Sequence, residues 1–100
     1  MARMAIHPGE HIADELEALN MSASELARQL HIPTNRLTDI IRGRRGISAD
    51  TALRLAWWMG TTPEYWMNLQ RNYEFRLAEQ EQGEKIRKEI TPLSTPRNAA

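Results

Sequence analysis

Residues 21–46 read MSASELARQLHIPTNRLTDIIRGRRG, and the fold turns on this stretch. Ser22 and Glu25 stand in the S-x-x-E spacing of a capping box, which starts a helix running through Leu30. Leu26, Ala27 and Leu30 fall on its inward side. His31-Ile32 leaves room only for a tight turn. Pro33 suits a first helical position and opens a second helix, roughly 33 to 42, which Gly43 ends. Two short helices joined by so tight a turn are the helix-turn-helix arrangement, in which the second helix enters the major groove of DNA.

The facing of that second helix separates this reading from an ordinary helical hairpin. At 100° per residue, Leu37, Ile40 and Ile41 fall together and pack inward. The opposite side carries Asn35, Thr38, Asp39 and Arg42, flanked by Thr34 and Arg36. Amides, hydroxyls and guanidinium groups are the donors and acceptors that read base edges. Asp39 suits a cytosine amine or the orientation of a neighbouring arginine. The loop Gly43-Arg44-Arg45-Gly46 then sets two charges where phosphate oxygens pass. The plain alternative is a solvated polar face of the kind most surface helices carry.

Working outward, the punctuation stays helical. Pro8-Gly9 precedes a helix over about 9 to 19, with Ile12, Leu16 and Leu19 at helical spacing. His7, before a proline, is pushed towards extended geometry. Ser48 caps a helix over 49–59 that Gly60 ends, and Thr62-Pro63 opens one expected to reach about Gln82. Val is absent and no run alternates apolar and polar residues for long, so strand signals are poor. From Gly83 the chain is polar and carries Pro92 and Pro96, which reads as a short flexible tail. A short helix around Ile86 and Ile90 is the alternative. The expected organisation is one all-α, five-helix domain over 1–82 and a tail over 83–100.

Composition limits the function classes. One hundred residues make one small domain, and the net charge is zero, so bulk basicity does not drive nucleic-acid binding. Distribution does more: residues 9–19 carry Glu10, Asp14, Glu15 and Glu17 without a Lys or Arg, whereas 33–46 set four arginines against Asp39 alone. Cysteine is absent, which removes disulfides and thiolate metal sites. No signal-peptide or membrane-length apolar run appears, and cytoplasmic residence is the expectation. His7, His11 and Asp14 hint at a metal by spacing, but Pro8 breaks the continuous helix such ligands need. Ser22, Ser48 and Thr62 are explained as helix caps, no phosphate-cradling glycine loop occurs, and no histidine pairs with a nucleophile. The expectation is a protein without catalytic residues, metal or cofactor.

All six aromatics, Trp57, Trp58, Tyr65, Trp66, Tyr73 and Phe75, fall in the last two expected helices. Trp66, Leu69, Tyr73 and Leu77 form an inward seam. Trp57 and Trp58 flank the outward Arg54, and Phe75 points away from the seam. Aromatics on the outside of a small domain mark a partner surface, which assigns Trp57, Trp58 and Phe75 to a dimer contact.

Taken together, Met21 to Leu30, Pro33 to Leu37, Gly43-Arg-Arg-Gly-Ile-Ser-Ala-Asp-Thr-Ala-Leu-Arg-Leu-Ala and Gly60-Thr-Thr-Pro-Glu-Tyr-Trp-Met-Asn-Leu-Gln resemble the XRE-type DNA-binding proteins. Within them the chain resembles the HigA, or VapI-like, antitoxins, and the opening His7-Pro8-Gly9-Glu10 fits as well. The resemblance spans about residues 7–80. It implies an XRE and Cro-repressor-like five-helix fold, a homodimer, and repression of the protein's own operon through double-stranded operator DNA. It also implies neutralisation of a HigB-like ribonuclease toxin. By position it assigns base reading to Thr34, Asn35, Thr38 and Asp39, with Arg36 beside them. Phosphate contact falls to Arg42, Arg44 and Arg45, with Ser22, Ala23 and Ser24 at a helix amino terminus. Two positions depart from the pattern: His31 stands where relatives carry a turn glycine, which calls for positive φ, and Trp57 stands where a polar residue is usual. A basic toxin would find its complement in Glu10, Asp14, Glu15 and Glu17, with the tail through Ile86, Ile90 and Leu93 as the rival site. The alternatives are a free-standing repressor without a toxin and a protein-interaction domain that no longer meets DNA.

Overall fold

The computed structural model describes residues 5–94, and these form five helices and no strand. They are α1 (Pro8–Leu19), α2 (Ala23–Leu30), α3 (Thr34–Ile41), α4 (Ala49–Met59) and α5 (Pro63–Glu89). Four of the five begin at a side-chain cap. The Ser22 hydroxyl accepts from Glu25 N–H at 3.1 Å, Ser48 from Thr51 N–H at 3.3 Å and Thr62 from Tyr65 N–H at 3.2 Å. The fourth cap is His7, whose Nδ1 accepts from Gly9 N–H at 2.9 Å while Glu10 accepts from His7 N–H at 3.2 Å. This is a capping box with histidine in the serine position.

Pro33 stands one place earlier than expected. It is the N-cap of α3, with ψ 143° and its carbonyl accepting from Arg36 N–H, so the helix starts at Thr34. The turn departure resolves as the sequence suggested: His31 caps α2 at φ 57°, ψ 44°, in the left-handed region. Gly43 and Gly60 close α3 and α4 in the same region, at φ 75° and 74°.

One small core draws on every helix. Ile12 and Leu16 of α1, Leu26, Ala27 and Leu30 of α2, Leu37 and Ile40 of α3, Ala52, Leu55 and Ala56 of α4, and Trp66 of α5 are buried together. Ile32 and Ile47, from the two connecting turns, complete it. Leu19 is half exposed, contrary to its helical phase, because α1 ends there and Asn20 turns the chain away at φ 51°. The aromatic seam of α5 holds at Trp66, with Leu69, Tyr73 and Leu77 partly covered.

The carboxy-terminal boundary differs most. Helix α5 does not stop at Gln82; it passes through Gly83 and ends at Glu89, before Thr91-Pro92. Two causes favour continuation. The Arg87 guanidinium pairs with both oxygens of Glu79 across Gly83, at 3.1 and 2.7 Å, and the segment is rich in helix-forming Glu, Gln, Lys and Arg. The residue preceding a proline disfavours helix, which places the true stop near Pro92. Residues 1–4 of the expected domain and 95–100 of the expected tail lie outside the described residues.

Candidate nucleic-acid interface

Helix α3 packs on α1 and α2 through Leu37 and Ile40, both fully buried, and through part of Ile41. That packing decides which side faces out. Thr34, Asn35 and Arg42 carry the outer side, with Thr34 and Asn35 exposed and Arg42 exposed at the helix end, while Arg36, Thr38 and Asp39 are half buried at the edges of the same face. The Thr38 hydroxyl donates to the Asn35 carbonyl at 3.3 Å. Asp39 contributes its backbone: its carbonyl accepts from Arg44 N–H at 2.8 Å and folds the loop back onto the helix end. The side chains of Arg44 and Arg45 are exposed.

Arg36 is held differently from its neighbours. Its guanidinium donates to the Asp50 carboxylate at 3.2 Å, and Arg54 donates to the same carboxylate oxygen at 2.8 Å. Arg54 holds the Asp50 carboxyl below the usual carboxylate range, chiefly through that hydrogen bond, with Arg36 adding to it. Arg54 reaches further, donating to the Leu30 carbonyl at 2.9 Å and the His31 carbonyl at 3.4 Å. One carboxylate and two guanidinium groups thus tie the end of α2, the turn, α3 and α4 into a single unit. The sequence reading placed Arg54 outward without foreseeing this bridge.

At the amino terminus of α2, Ser22 and Ser24 are exposed and Ala23 is half buried against the core. The Ser22 oxygen accepts in its cap and its O–H is left to donate, so Ser22, Ser24 and the backbone can all meet a phosphate. A shallow recess lined by Arg36, Arg45, Gly46, Ser48, Asp50 and Thr51 runs between the starts of α3 and α4 and opens beside Arg45.

Two buried polar residues flank the arginine loop, and the sequence reading gave neither of them this role. His7 is 8% exposed, stacks edge-to-face on Tyr73 with centroids 4.8 Å apart, and faces the Arg45 backbone. Burial pushes its pKa below the usual histidine value, although Glu10 and the Arg45 backbone pull the other way. Gln70 is 7% exposed, and its side-chain oxygen accepts from Ile47 N–H at 2.8 Å. The sequence reading took His7 as extended before Pro8 and the H-P-G-E opening as part of the resemblance, and did not see in it a cap. Gln70 was not singled out, although it stands four places after Trp66, a spacing that puts it on the same side of the helix.

The other assigned surfaces are dispersed. Trp57 is 93% exposed and lies with Leu53 beside Gln29, Leu30 and His31. Trp58 packs at the core edge and donates its indole N–H to Gln29 at 2.6 Å. Phe75 is exposed on α5. Glu10, Asp14, Glu15 and Glu17 are all exposed along α1, but Glu10 also caps the helix start by accepting from His7 N–H. No group of acidic, histidine or cysteine side chains suited to a metal occurs among the described residues, and none of their helices is long and apolar enough to cross a membrane.

The helix-turn-helix family model matches residues 12–66. The chain is similar to virulence-associated protein I of Dichelobacter nodosus, with 45% identity over 91% of this chain and 83% of that one. It is also similar to the solved structure of an addiction module antidote protein of a HigA family from Coxiella burnetii. That pair shares 55% identity and a TM-score of 0.87, covering 91% of this chain and 100% of the other. The Pseudomonas aeruginosa antitoxin HigA, solved with the higBA promoter, matches at 43% identity and a TM-score of 0.85, over 89% of this chain and 98% of its own.

Proposed function

The chain belongs to the helix-turn-helix family, and within it to the HigA antidote proteins, and from that premise we propose that it is a dimeric antitoxin that represses its own operon. The observation that carries the DNA half is the locked turn beneath an open face. Arg54 and Asp50 fix α2, α3 and α4 together, while Asn35, Arg44 and Arg45 stay exposed beside Arg42. The relative solved with the higBA promoter supports DNA binding as such. In this reading Thr34, Asn35, Thr38 and Asp39 meet base edges. Arg42, Arg44 and Arg45 meet phosphates, with Ser22, Ser24 and the backbone at Ala23. Arg36 belongs to the base-reading set only if it leaves Asp50.

One helix-turn-helix covers few base pairs, and a two-fold dimer presents two, with half-sites ~34 Å apart or a multiple of that. DNA binding and dimerisation are assigned to residues 1–82. Trp57, with Leu53 beside it, and Phe75 are the exposed apolar groups for the dimer; Trp58 contributes from its partly covered place. The partner of the antitoxin function is a HigB-like ribonuclease met in the cytoplasm, and the reading asks no catalysis of this chain.

The test is binding to the DNA upstream of the protein's own reading frame, with footprinting and sedimentation of the complex. A protected palindrome carrying two copies supports the proposal. Equal affinity for that segment and for random duplex overturns the repressor role. A neighbouring gene that encodes no ribonuclease-like protein leaves a free-standing repressor.

A further inference from the structure

We infer that His7 and Gln70 are positioning residues for DNA binding, clamping the Gly43–Gly46 loop from its two sides so that Arg44 and Arg45 are presented to phosphate in one fixed geometry. The clamp presupposes that the loop binds DNA, as proposed above. Neither residue lies on the reading helix, and the two come from opposite ends of the domain: His7 from the turn before α1, Gln70 from the first third of α5. Both are buried polar groups, costly to place in a core unless their hydrogen bonds are made.

The contacts bracket the loop. On one side the His7 ring lies under Gly43, whose missing Cβ would stand 3.9 Å from ring atoms Cδ2 and Cγ. Its Nδ1 is taken by Gly9 N–H at 2.9 Å, which leaves Nε2–H to face the loop, on the side of the Arg45 backbone. Tyr73 backs the ring from α5. On the other side the Gln70 amide lies so close to Gly46 that a Cβ there would stand 2.8 Å from Nε2. Its oxygen accepts from Ile47 N–H at 2.8 Å, and its Nε2 donates to Glu74 at 2.8 Å, which fixes the amide's orientation. Ile47 in turn is a core residue, 3% exposed. The Asp39–Arg44 backbone bond holds only the start of this glycine-flanked diarginine turn; without the clamp the rest would be ordered on meeting DNA, and the cost of that ordering would be subtracted from the affinity.

The test is a pair of double-mutant cycles read by DNA affinity and its salt dependence. His7→Asn retains an N-cap acceptor for α1 but is too short to reach Arg45. Gln70→Leu keeps the volume and removes the Ile47 hydrogen bond. Each should weaken operator and random duplex alike, by about 2–12-fold, the cost of immobilising one freed side chain on binding. Each should then have little further effect in an Arg44→Ala, Arg45→Ala background, because the groups being positioned are gone. Equal losses in both backgrounds, or unchanged affinity in the wild-type background, overturn the clamp. If the double arginine variant itself binds DNA as the wild type does, it is the DNA-binding reading of the loop that fails. Should a variant not fold, the wild-type protein decides by NMR. The His7 ring must be the neutral Nε2–H tautomer and the Ile47 amide must exchange slowly; the opposite tautomer or rapid exchange overturns the inference.

Discussion

Gly9, in the first turn of α1, lies directly against the backbone of Ile40 in α3: a Cβ at Gly9 would stand 2.0 Å from the Ile40 carbonyl oxygen and 2.9 Å from Ile41 Cα. No side chain can yield there, because the obstacle is the main chain of the reading helix. Gly9→Ala must therefore push α1 off α3, at a cost of about 1–3 kcal/mol for an overpacked site. Thermal melting should show the loss. DNA affinity should fall in the same variant even where it is fully folded, since Ile40 and Ile41 set the orientation of α3. A melting temperature equal to wild type contradicts the close approach.

Base-reading and phosphate-binding residues should separate by their salt dependence. Replacing Arg44 and Arg45 by alanine should weaken all sequences alike and flatten the salt slope by ~0.9 for each phosphate no longer neutralised. Asn35→Ala should instead cost ~1–3 kcal/mol at particular base pairs and leave the slope alone. Titrations against operator variants at several salt concentrations measure both. Equal loss on specific and random DNA for Asn35→Ala would remove its reading role.

Much of this architecture is written in local signals. Ser22, Ser48 and Thr62 announce their helices because a hydroxyl at an N-cap is a strong and nearby cause, and the phase of Leu37 and Ile40 follows from periodicity alone. What the sequence did not yield is long-range. The bond from Gln70 to Ile47 spans 23 positions and that from Arg54 to Leu30 spans 24, and neither has a spacing rule. The overrun of α5 past Gly83 has a different cause. A glycine stops a helix only where the backbone turns left-handed, and here the Glu79–Arg87 pair holds it helical.

His7 also makes stability depend on pH, with a definite sign. Its folded pKa lies below the unfolded value of 6.5, chiefly because burial disfavours the charged ring. Between the two values the unfolded chain binds more protons, so stability rises with pH across that window. The contribution is complete above about 6.5 and is lost as pH falls towards the folded value, where Nδ1 must take a proton and give up Gly9 N–H. Melting temperatures from about pH 7.5 down to about pH 5 should fall in the wild type and fall less in His7→Asn. Identical profiles for the two proteins would assign the pH dependence to another group.

The surface that meets the toxin can be located by charge. A HigB-like ribonuclease must hold RNA and is expected to be basic, so an acidic surface on this chain is its natural complement. Asp14, Glu15 and Glu17 are exposed along α1 and free to face such a partner. Glu10 is left unchanged in the test because it accepts from His7 N–H in the α1 cap, and reversing it would disturb the start of that helix. The competing surface is the end of α5 and the segment after it, where Ile86, Ile90 and Leu93 are exposed. The chain is helical to Glu89, so a toxin docking there would meet a formed helix. Co-expression with the adjacent toxin separates the two. Asp14→Lys, Glu15→Lys and Glu17→Lys together should abolish rescue of growth while operator binding persists, because no change touches the reading face. Truncation after Gln82 should preserve rescue, since Trp66 and the rest of the core lie upstream. If truncation removes protection and charge reversal does not, the end of α5 is the neutralising element and the acidic face of α1 is only solvated.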